Sequence, residues 1–469
     1  MNIRILLISV FISSTLSLYS QDIAENMTFE EAYQSMADNN LALKGAEAEK
    51  KSNEYLRKTT RGLYLPHISL NANYTKFDQD IGIDISGLSD AAGGIGITPS
   101  GNLLSPSKLV LQKEQVAIAS LDMIWPVFTG GKIMAANKAM DAKIDEAQYK
   151  IDETKSKLNT ELVERYYGYR LATRAVGLYQ EVLDAMLLHQ SNAQKLEENG
   201  MISKAQRLYA DLSVATAKSE LNHAKSTRNT VSEALKNTIT QDHNVTPTSE
   251  LFLNEHIEPV EFFINSALEN NPLLKQVEAK KRQAEQMHHV STSNYLPTVA
   301  VVGNKVISDY QLADVMPNWF VGVNLRWTLF DGMSRTYETK SSRATMDRVE
   351  FLETKAQEDI STLINKLYND LTSSVDQLHD LNSTYKFAVE YERVTQKAFS
   401  EGFATSKDVV DAQLVLNKVK VGRLKIMNDY VLALAKLLQY SGNPEMFLDY
   451  SHRKDREREE FAENTEETK

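Results

Sequence analysis

The chain contains two copies of one pattern, and this duplication constrains its fold more than any other feature. Shifted by 231 residues (270 − 39), Asn39-Asn40 falls on Asn270-Asn271 and Leu43-Lys44 on Leu274-Lys275. The register holds without a gap to Tyr64-Leu65-Pro66, which meets Tyr295-Leu296-Pro297. Further along, the shift becomes 202 (327 − 125), and Trp125 meets Trp327, Phe128 Phe330, Gly130 Gly332 and Gly200 Gly402. The first copy therefore carries 231 − 202 = 29 extra residues between Pro66 and Trp125. They fall most naturally in Asp78 to Ser107, a stretch rich in Gly, Ser and Asp. Each copy must supply the same set of elements to one architecture.

Each copy opens with a helical stretch of about 35 residues, starting near Thr28 and near Pro259. Thr28 and Glu31 form a capping box, and Pro66 and Pro297 end the stretches because proline lacks an N–H and restricts its predecessor. A far longer helix comes later in each copy. Lys132 to Glu198 and Met333 to Glu401 contain no proline, and about 67 residues would make a helix of roughly 100 Å. Its apolar residues, such as Met140, Ile144, Ala147 and Ile151, form a narrow stripe suited to coiled-coil packing. Gly200 and Gly402 break these helices. Shorter ones follow, with Ser203–Gln206 and Thr405–Asp408 as capping boxes. The first returning helix, Ser203 to about Ile239, is about half as long as its partner, so a second short helix is needed to match it.

Between the helices lie strands. Ile68, Leu70, Ala72 and Tyr74 alternate with Ser69, Asn71, Asn73 and Thr75, and a second strand precedes Pro126. The second copy repeats this at Val299 and Val301, then at Trp319, Val321, Val323, Leu325 and Trp327, with Gly322, Asn324 and Arg326 on the alternate face. Strands of roughly ten residues with aromatic ends suit an outer-membrane barrel; they suit equally an antiparallel sheet with one wet face.

Composition closes off other classes. Without cysteine there are no disulfides, thiolate metal sites or cysteine nucleophiles. A net charge of −11 argues against nucleic-acid binding. His288-His289 has no zinc-ligand spacing around it, and no phosphate-binding glycine motif occurs. No catalytic residue, metal site or cofactor is expected. Residues 1–20 read as a signal peptide, with Arg4 before an apolar run interrupted by serines. Beyond it no run of about 18 apolar residues remains, so entry into a membrane requires a barrel.

Together, the signal peptide, the duplicated Tyr-Leu-Pro units, the Trp-x-x-Phe-x-Gly returns and the run Gly402-Phe403-Ala404-Thr405-Ser406-Lys407-Asp408-Val409-Val410-Asp411-Ala412-Gln413 resemble the TolC family of outer-membrane efflux proteins. The resemblance covers Met27 to Gly442. It implies a mainly α protein with a transmembrane β-barrel: coiled-coil-like helices form a periplasmic α-barrel tunnel, and four strands per subunit contribute to a trimeric twelve-stranded barrel. The expected organisation is a signal peptide (1–20), a first repeat (21–240) with a long extracellular loop (76–115), and a connector (241–260). A second repeat (261–442) and a C-terminal equatorial segment with charged tail (443–469) follow. The implied function is an exit duct for tripartite efflux or type I secretion, docking an inner-membrane pump and a periplasmic fusion (adaptor) protein. The alternative is a secreted periplasmic coiled-coil adaptor or structural protein.

Two groups of residues are candidate sites. The turns Gly200-Met201-Ile202-Ser203 and Gly402-Phe403-Ala404-Thr405 match positions at which, by the resemblance, the fusion protein docks. Physically, glycine there lets a helix stop with positive φ, and exposed Met201, Ile202 and Phe403 would offer apolar contact. Asp408 and Asp411 share a helix face and match the family's acidic constriction, which in a trimer is two rings of three carboxylates. Acids are also favoured in a helix's first turn by its dipole. Gln206, Phe399 and Ala404 depart from the family's inter-helix lock, which has an acid, a tyrosine and an arginine there.

Overall fold

The computed structural model describes residues 25–84, 87, 108–241, 244–313 and 317–459. The expected signal peptide, most of the Gly-rich insertion and the end of the charged tail, including Phe461, lie outside the described residues. The chain divides into two compact units, one of Met1–Lys44, Glu153–Asn271 and Asp359–Lys469, the other of Gly45–Asp152 and Pro272–Glu358.

The expected 35-residue opening helix is two helices in each copy. In the first, α1 (Phe29–Asn39) and α2 (Leu41–Gly62) meet at Asn40. Thr28 and Glu31 cap α1 reciprocally. Asn40 donates its backbone N–H to Met36 and turns its side-chain oxygen on the N–H groups of Ala42 and Leu43, at 2.8 and 3.3 Å. One asparagine thus ends one helix and starts the next. The chain continues with α3 (Lys132–Glu198) and α4 (Lys204–Ile239), spans close to those the sequence predicts. In the second copy, α5 (Val260–Asn270) breaks before α6 (Pro272–Ser293), with proline at the first helical position, where its missing N–H costs nothing. Then come α7 (Ser334–Ser400) and α8 (Ser406–Ser441), followed by the short α9 (Met446–His452). Both α3 and α7 have 67 residues and contribute to both units.

In the second unit, β2 (His67–Lys76), β5 (Gln115–Phe128), β8 (Thr298–Tyr310) and β9 (Trp319–Arg326) form one antiparallel sheet in that order. The second strand does not stop before Pro126. It runs through to Phe128 with a register shift beside the proline, the irregularity a residue without N–H requires. On one face Asp122 accepts hydrogen bonds from the side-chain amides of Asn71 and Asn304 on the two neighbouring strands. The other face is apolar and bare: Leu70 is 66% exposed, Val323 72% and Leu325 63%. The duplication is visible in hydrogen bonds too. Trp125 and Trp327 each donate an indole N–H to the carbonyl of the tyrosine in their own Tyr-Leu-Pro, at 3.0 and 3.1 Å. The insertion is not wholly irregular, since β3 (Ile81–Asp84) and β4 (Lys108–Gln112) pair at its base.

The first unit holds an aromatic core. Phe29, Tyr166, Tyr167, Phe252 and Phe447 are almost wholly buried, with ring centroids 5.1–6.1 Å apart. Burial raises the Tyr166 hydroxyl above its ordinary value. It donates to the Met27 carbonyl at 2.7 Å and accepts from Thr248 and Ser249. The stretch between the copies belongs to this unit. It carries β6 (Val245–Pro247), paired with β1 (Glu25–Met27), and β7 (Phe252–Asn254), paired with β10 (Arg456–Arg458). Residues just after His452 join it as well. Glu459 is buried and receives Arg170 and Arg174, because a buried carboxylate needs its charge partnered.

Candidate functional site

The candidate residues sit on two helix turns within the first unit. Each long helix ends in a Schellman motif. Gly200, with φ +71°, donates to the Glu197 carbonyl and Met201 to that of Leu196, both at 2.8 Å. Gly402, with φ +82°, repeats this, donating to Phe399 at 3.0 Å while Phe403 donates to Ala398 at 2.8 Å. Glycine populates this left-handed region without a Cβ penalty, so the last carbonyls of both helices are satisfied.

The turns present two large apolar side chains to solvent. Phe403 is 84% exposed and Met201 56%. Ile202, expected beside them, is instead half-buried. With Ala404 it packs on a cluster of Ala193, Ala210, Phe399 and Val409, one residue from each of α3, α4, α7 and α8. This cluster brings the two turns together. The structure also shows a residue that sequence reasoning missed. His189 is 3% exposed, and its ring lies 4.7 Å from that of Phe399. Burial lowers its pKa, which keeps the imidazole neutral. Its place on the buried stripe of α3 is the signal that could have found it. Phe399 is thus a packing residue between helices.

The helix starts differ. Thr405 and Asp408 form a complete capping box. The Thr405 N–H donates to the Asp408 carboxylate at 2.8 Å and its hydroxyl at 2.6 Å, while the Asp408 N–H returns to the hydroxyl at 3.3 Å. These bonds hold the Asp408 carboxyl below the usual carboxylate range. One turn on, Asp411 pairs with Lys407 and raises its ammonium. Ser203 caps α4 more simply, its hydroxyl accepting the Gln206 N–H at 3.4 Å, and the reciprocal half of the expected box is not formed. The first turn is braced by charge. Arg207 bridges Glu197 on α3 and Asp211 on α4, and Gln190 donates to Asp211 at 2.8 Å. Sequence reasoning missed this network, since its pairing across the hairpin depends on which faces of α3 and α4 meet. Among the described residues no group of His, Asp and Glu could hold a metal ion, and no helix is long and apolar enough to cross a membrane.

The family profile described as outer membrane efflux protein matches residues 32–240 and 263–443, both copies of the repeat. The chain belongs to the outer membrane efflux protein family. The family's description places it in the outer membrane and favours the efflux reading over the adaptor one. Protein CyaE of Bordetella pertussis is 23% identical over 273 residues, 55% of this chain. The chain spans about 56% of the length of that curated relative. Solved structures agree on the fold. A membrane protein from Pseudomonas aeruginosa superposes with a TM-score of 0.74 at 12% identity, covering 88% of this chain and 90% of its own. The outer membrane protein VceC of Vibrio cholerae does so with 0.70 at 13% identity, covering 88% of this chain and 96% of its own.

Proposed function

We propose that this efflux protein works as a homotrimeric duct. Three copies close a twelve-stranded barrel in the outer membrane, and the helices form a periplasmic tunnel that a fusion protein and an inner-membrane pump engage at the tips. The observation that carries this reading is the open sheet. Its outer strands, β2 and β9, each pair with one neighbour within the chain, and its apolar face is bare. An open sheet cannot stand in lipid with unpaired edges, so copies must complete it. Two copies would give eight strands, a barrel filled by its own side chains. Three is the smallest number that leaves a channel.

The natural chain has no cysteine, which makes the test direct. Leu70→Cys on β2 and Val323→Cys on β9, introduced together, are treated in membranes with a bifunctional thiol reagent. Covalent trimers are expected, and a ladder ending at the dimer overturns the reading. In the same proposal the insertion faces the cell exterior, so an impermeant maleimide labels Ser89→Cys on intact cells. Labelling only after the membrane is broken would reverse the orientation.

In the trimer, Asp408 and Asp411 would form two rings of carboxylates at the periplasmic mouth. Crowded like charges attract cations, and multivalent ones would plug them. Planar-bilayer conductance of Asp408→Ala/Asp411→Ala tests this. The double variant is expected to lose cation preference and trivalent-cation block. If both persist, the two acids serve only the helix start. Energy for transport comes from the partner pump.

A further inference from the structure

The duplication reaches beyond the sequence into the packing. β2 pairs with β5 and β8 with β9 in one register, His67 opposite Ile124 and Thr298 opposite Arg326. These are the same shifts, 231 (298 − 67) and 202 (326 − 124), that align the two copies in sequence. Within the second unit a further junction joins the copies to each other. There β5 pairs with β8, and the long helix of the first copy, α3, lies against the opening helix of the second, α6. Asp145 and Glu146 of α3 meet Arg282 and Lys280 of α6 at 3.0 and 3.4 Å. Ala135, Ala139 and Ala142, on the same helix face as Glu146, are buried, and so is Ala279 on α6. A Cβ at Gly130 would stand 2.8 Å from that of Leu296, so the start of α3 is pressed against the turn after α6.

The counterparts of this junction are the two faces that the single chain leaves open. At the equivalent positions α7 carries Tyr337, Ser341 and Ala344 and α2 carries Ala48, and all four are exposed. Gly332, the counterpart of Gly130, has open space around it. The strands agree, since β9 and β2 are the two ends of the sheet. The charges at these faces are complementary, with one pair reversed in sign. Where α3 has Glu146 and α6 has Lys280, α7 has Arg348 (146 + 202) and α2 has Glu49 (280 − 231). Where α3 has Asp145 and α6 has Arg282, α7 has Asp347 (145 + 202) and α2 has Lys51 (282 − 231). Arg348, Glu49 and Lys51 are exposed, and Asp347 is paired at 3.2 Å with Arg343 of its own helix.

We propose that these faces bind a second copy of this chain by repeating the internal junction, with Arg348 meeting Glu49 of the partner subunit and Asp347 meeting Lys51 of the partner subunit. In the sheet, the Asp122–Asn304 bond between β5 and β8 is then replaced by Asn324 beside Asn73 of the partner subunit. This rests on the trimer proposed above and gives it a pairing code. A junction between two first copies would set Glu146 against Glu49. One between two second copies would set Arg348 against Lys280. Like charges repel in both. Only strict alternation of first and second copies around the ring pairs every charge.

A short bifunctional thiol reagent, applied in membranes to Glu49→Cys/Arg348→Cys, tests the contact in a chain with no other thiol. Covalent trimers are expected. Glu49→Cys/Arg343→Cys, with the second thiol on another face of α7, should give far less product. Trimers from Leu70→Cys/Val323→Cys with none from Glu49→Cys/Arg348→Cys would overturn the pairing and leave the duct standing. Products that stop at the dimer in both cases would keep the junction and overturn the trimer. No product from either pair overturns both, and equal yields from the Arg348 and Arg343 pairs overturn the pairing as unspecific. Charge reversal gives an independent readout. Glu49→Arg and Arg348→Glu should each lower the temperature at which the assembly dissociates on a native gel. Both side chains are exposed, so the fold of the chain is spared. The double reversal should recover most of the loss, as directly coupled partners do. Losses that simply add would mean that the two residues do not meet.

Discussion

Gly200 and Gly402 end two helices of equal length, each with a positive φ and the same pair of backbone hydrogen bonds, yet the side chains around them have diverged. At the first turn, charge runs across the hairpin, with Arg207 on α4 held by Glu197 of α3. At the second, charge stays local to α8, in the Thr405–Asp408 box and the Lys407–Asp411 pair. Duplication kept the backbone device, which glycine alone supplies, and left the surface chemistry free to change. One turn is a brace between helices. The other is a self-contained helix start whose acids are tied to their own first turn.

The largest effect expected is on docking. Phe403→Asp and Met201→Asp should each abolish transport in an efflux-dependent growth assay, with unchanged assembly on size-exclusion chromatography. Both side chains are mostly in solvent, so the fold loses nothing by the change. Ile202→Asp breaks the comparison. Its half-buried side chain packs on Ala193, Ala210, Phe399 and Val409, so it should lower thermal stability as well as transport. If Phe403→Asp transports normally, the exposed tip is not where a partner docks.

Next in size is the brace. Arg207→Ala strands two carboxylates that are themselves only about a third exposed, and should cost about 1–2 kcal/mol, read by thermal unfolding of the helical signal. Lys407→Ala removes a more exposed, local pair and should lower the unfolding temperature less than Arg207→Ala does. Equal losses would mean that the two turns are braced alike.

How much of this the sequence carried depends on how local each device is. The helix ends at Gly200 and Gly402, and the cap at Thr405, are written within six residues, and they were legible. Four strands were legible from period two. Asn40 and Asn271 were visible as repeat markers, but their meaning as helix breaks needs the side-chain bonds that only the folded chain displays. The aromatic core was hidden for the same reason, since Tyr166 serves Met27, Thr248 and Ser249 from far along the chain. A turn by itself would expose Ile202, but residues from four helices converge there and half-bury it.

Caps give a smaller contrast. Thr405→Ala dismantles a reciprocal box and should cost about 1 kcal/mol, whereas Ser203→Ala removes a single long bond and should cost roughly half as much. Hydrogen exchange at the first turns of α8 and α4 resolves the two. Faster exchange in α4 than in α8 after the respective changes would invert the order.

The smallest effect, and the sharpest test of the comparison, is acid. Asp408 is held below the ordinary carboxylate range by its bonds from Thr405, whereas its counterpart Gln206 cannot titrate. A group whose folded pKa is depressed contributes stability that is fully present above its unfolded value, and that stability is lost as pH falls through the folded one. Acidification into and below the usual carboxylate range should therefore quicken amide exchange at the start of α8 more than at the start of α4, where the carboxylates belong to the Arg207 brace and not to the cap. Asp408→Asn should remove the difference, because the amide keeps an acceptor for Thr405 but carries no proton equilibrium in this range. If both helix starts loosen together in the wild-type protein, the acid response belongs to the whole assembly and not to this carboxylate.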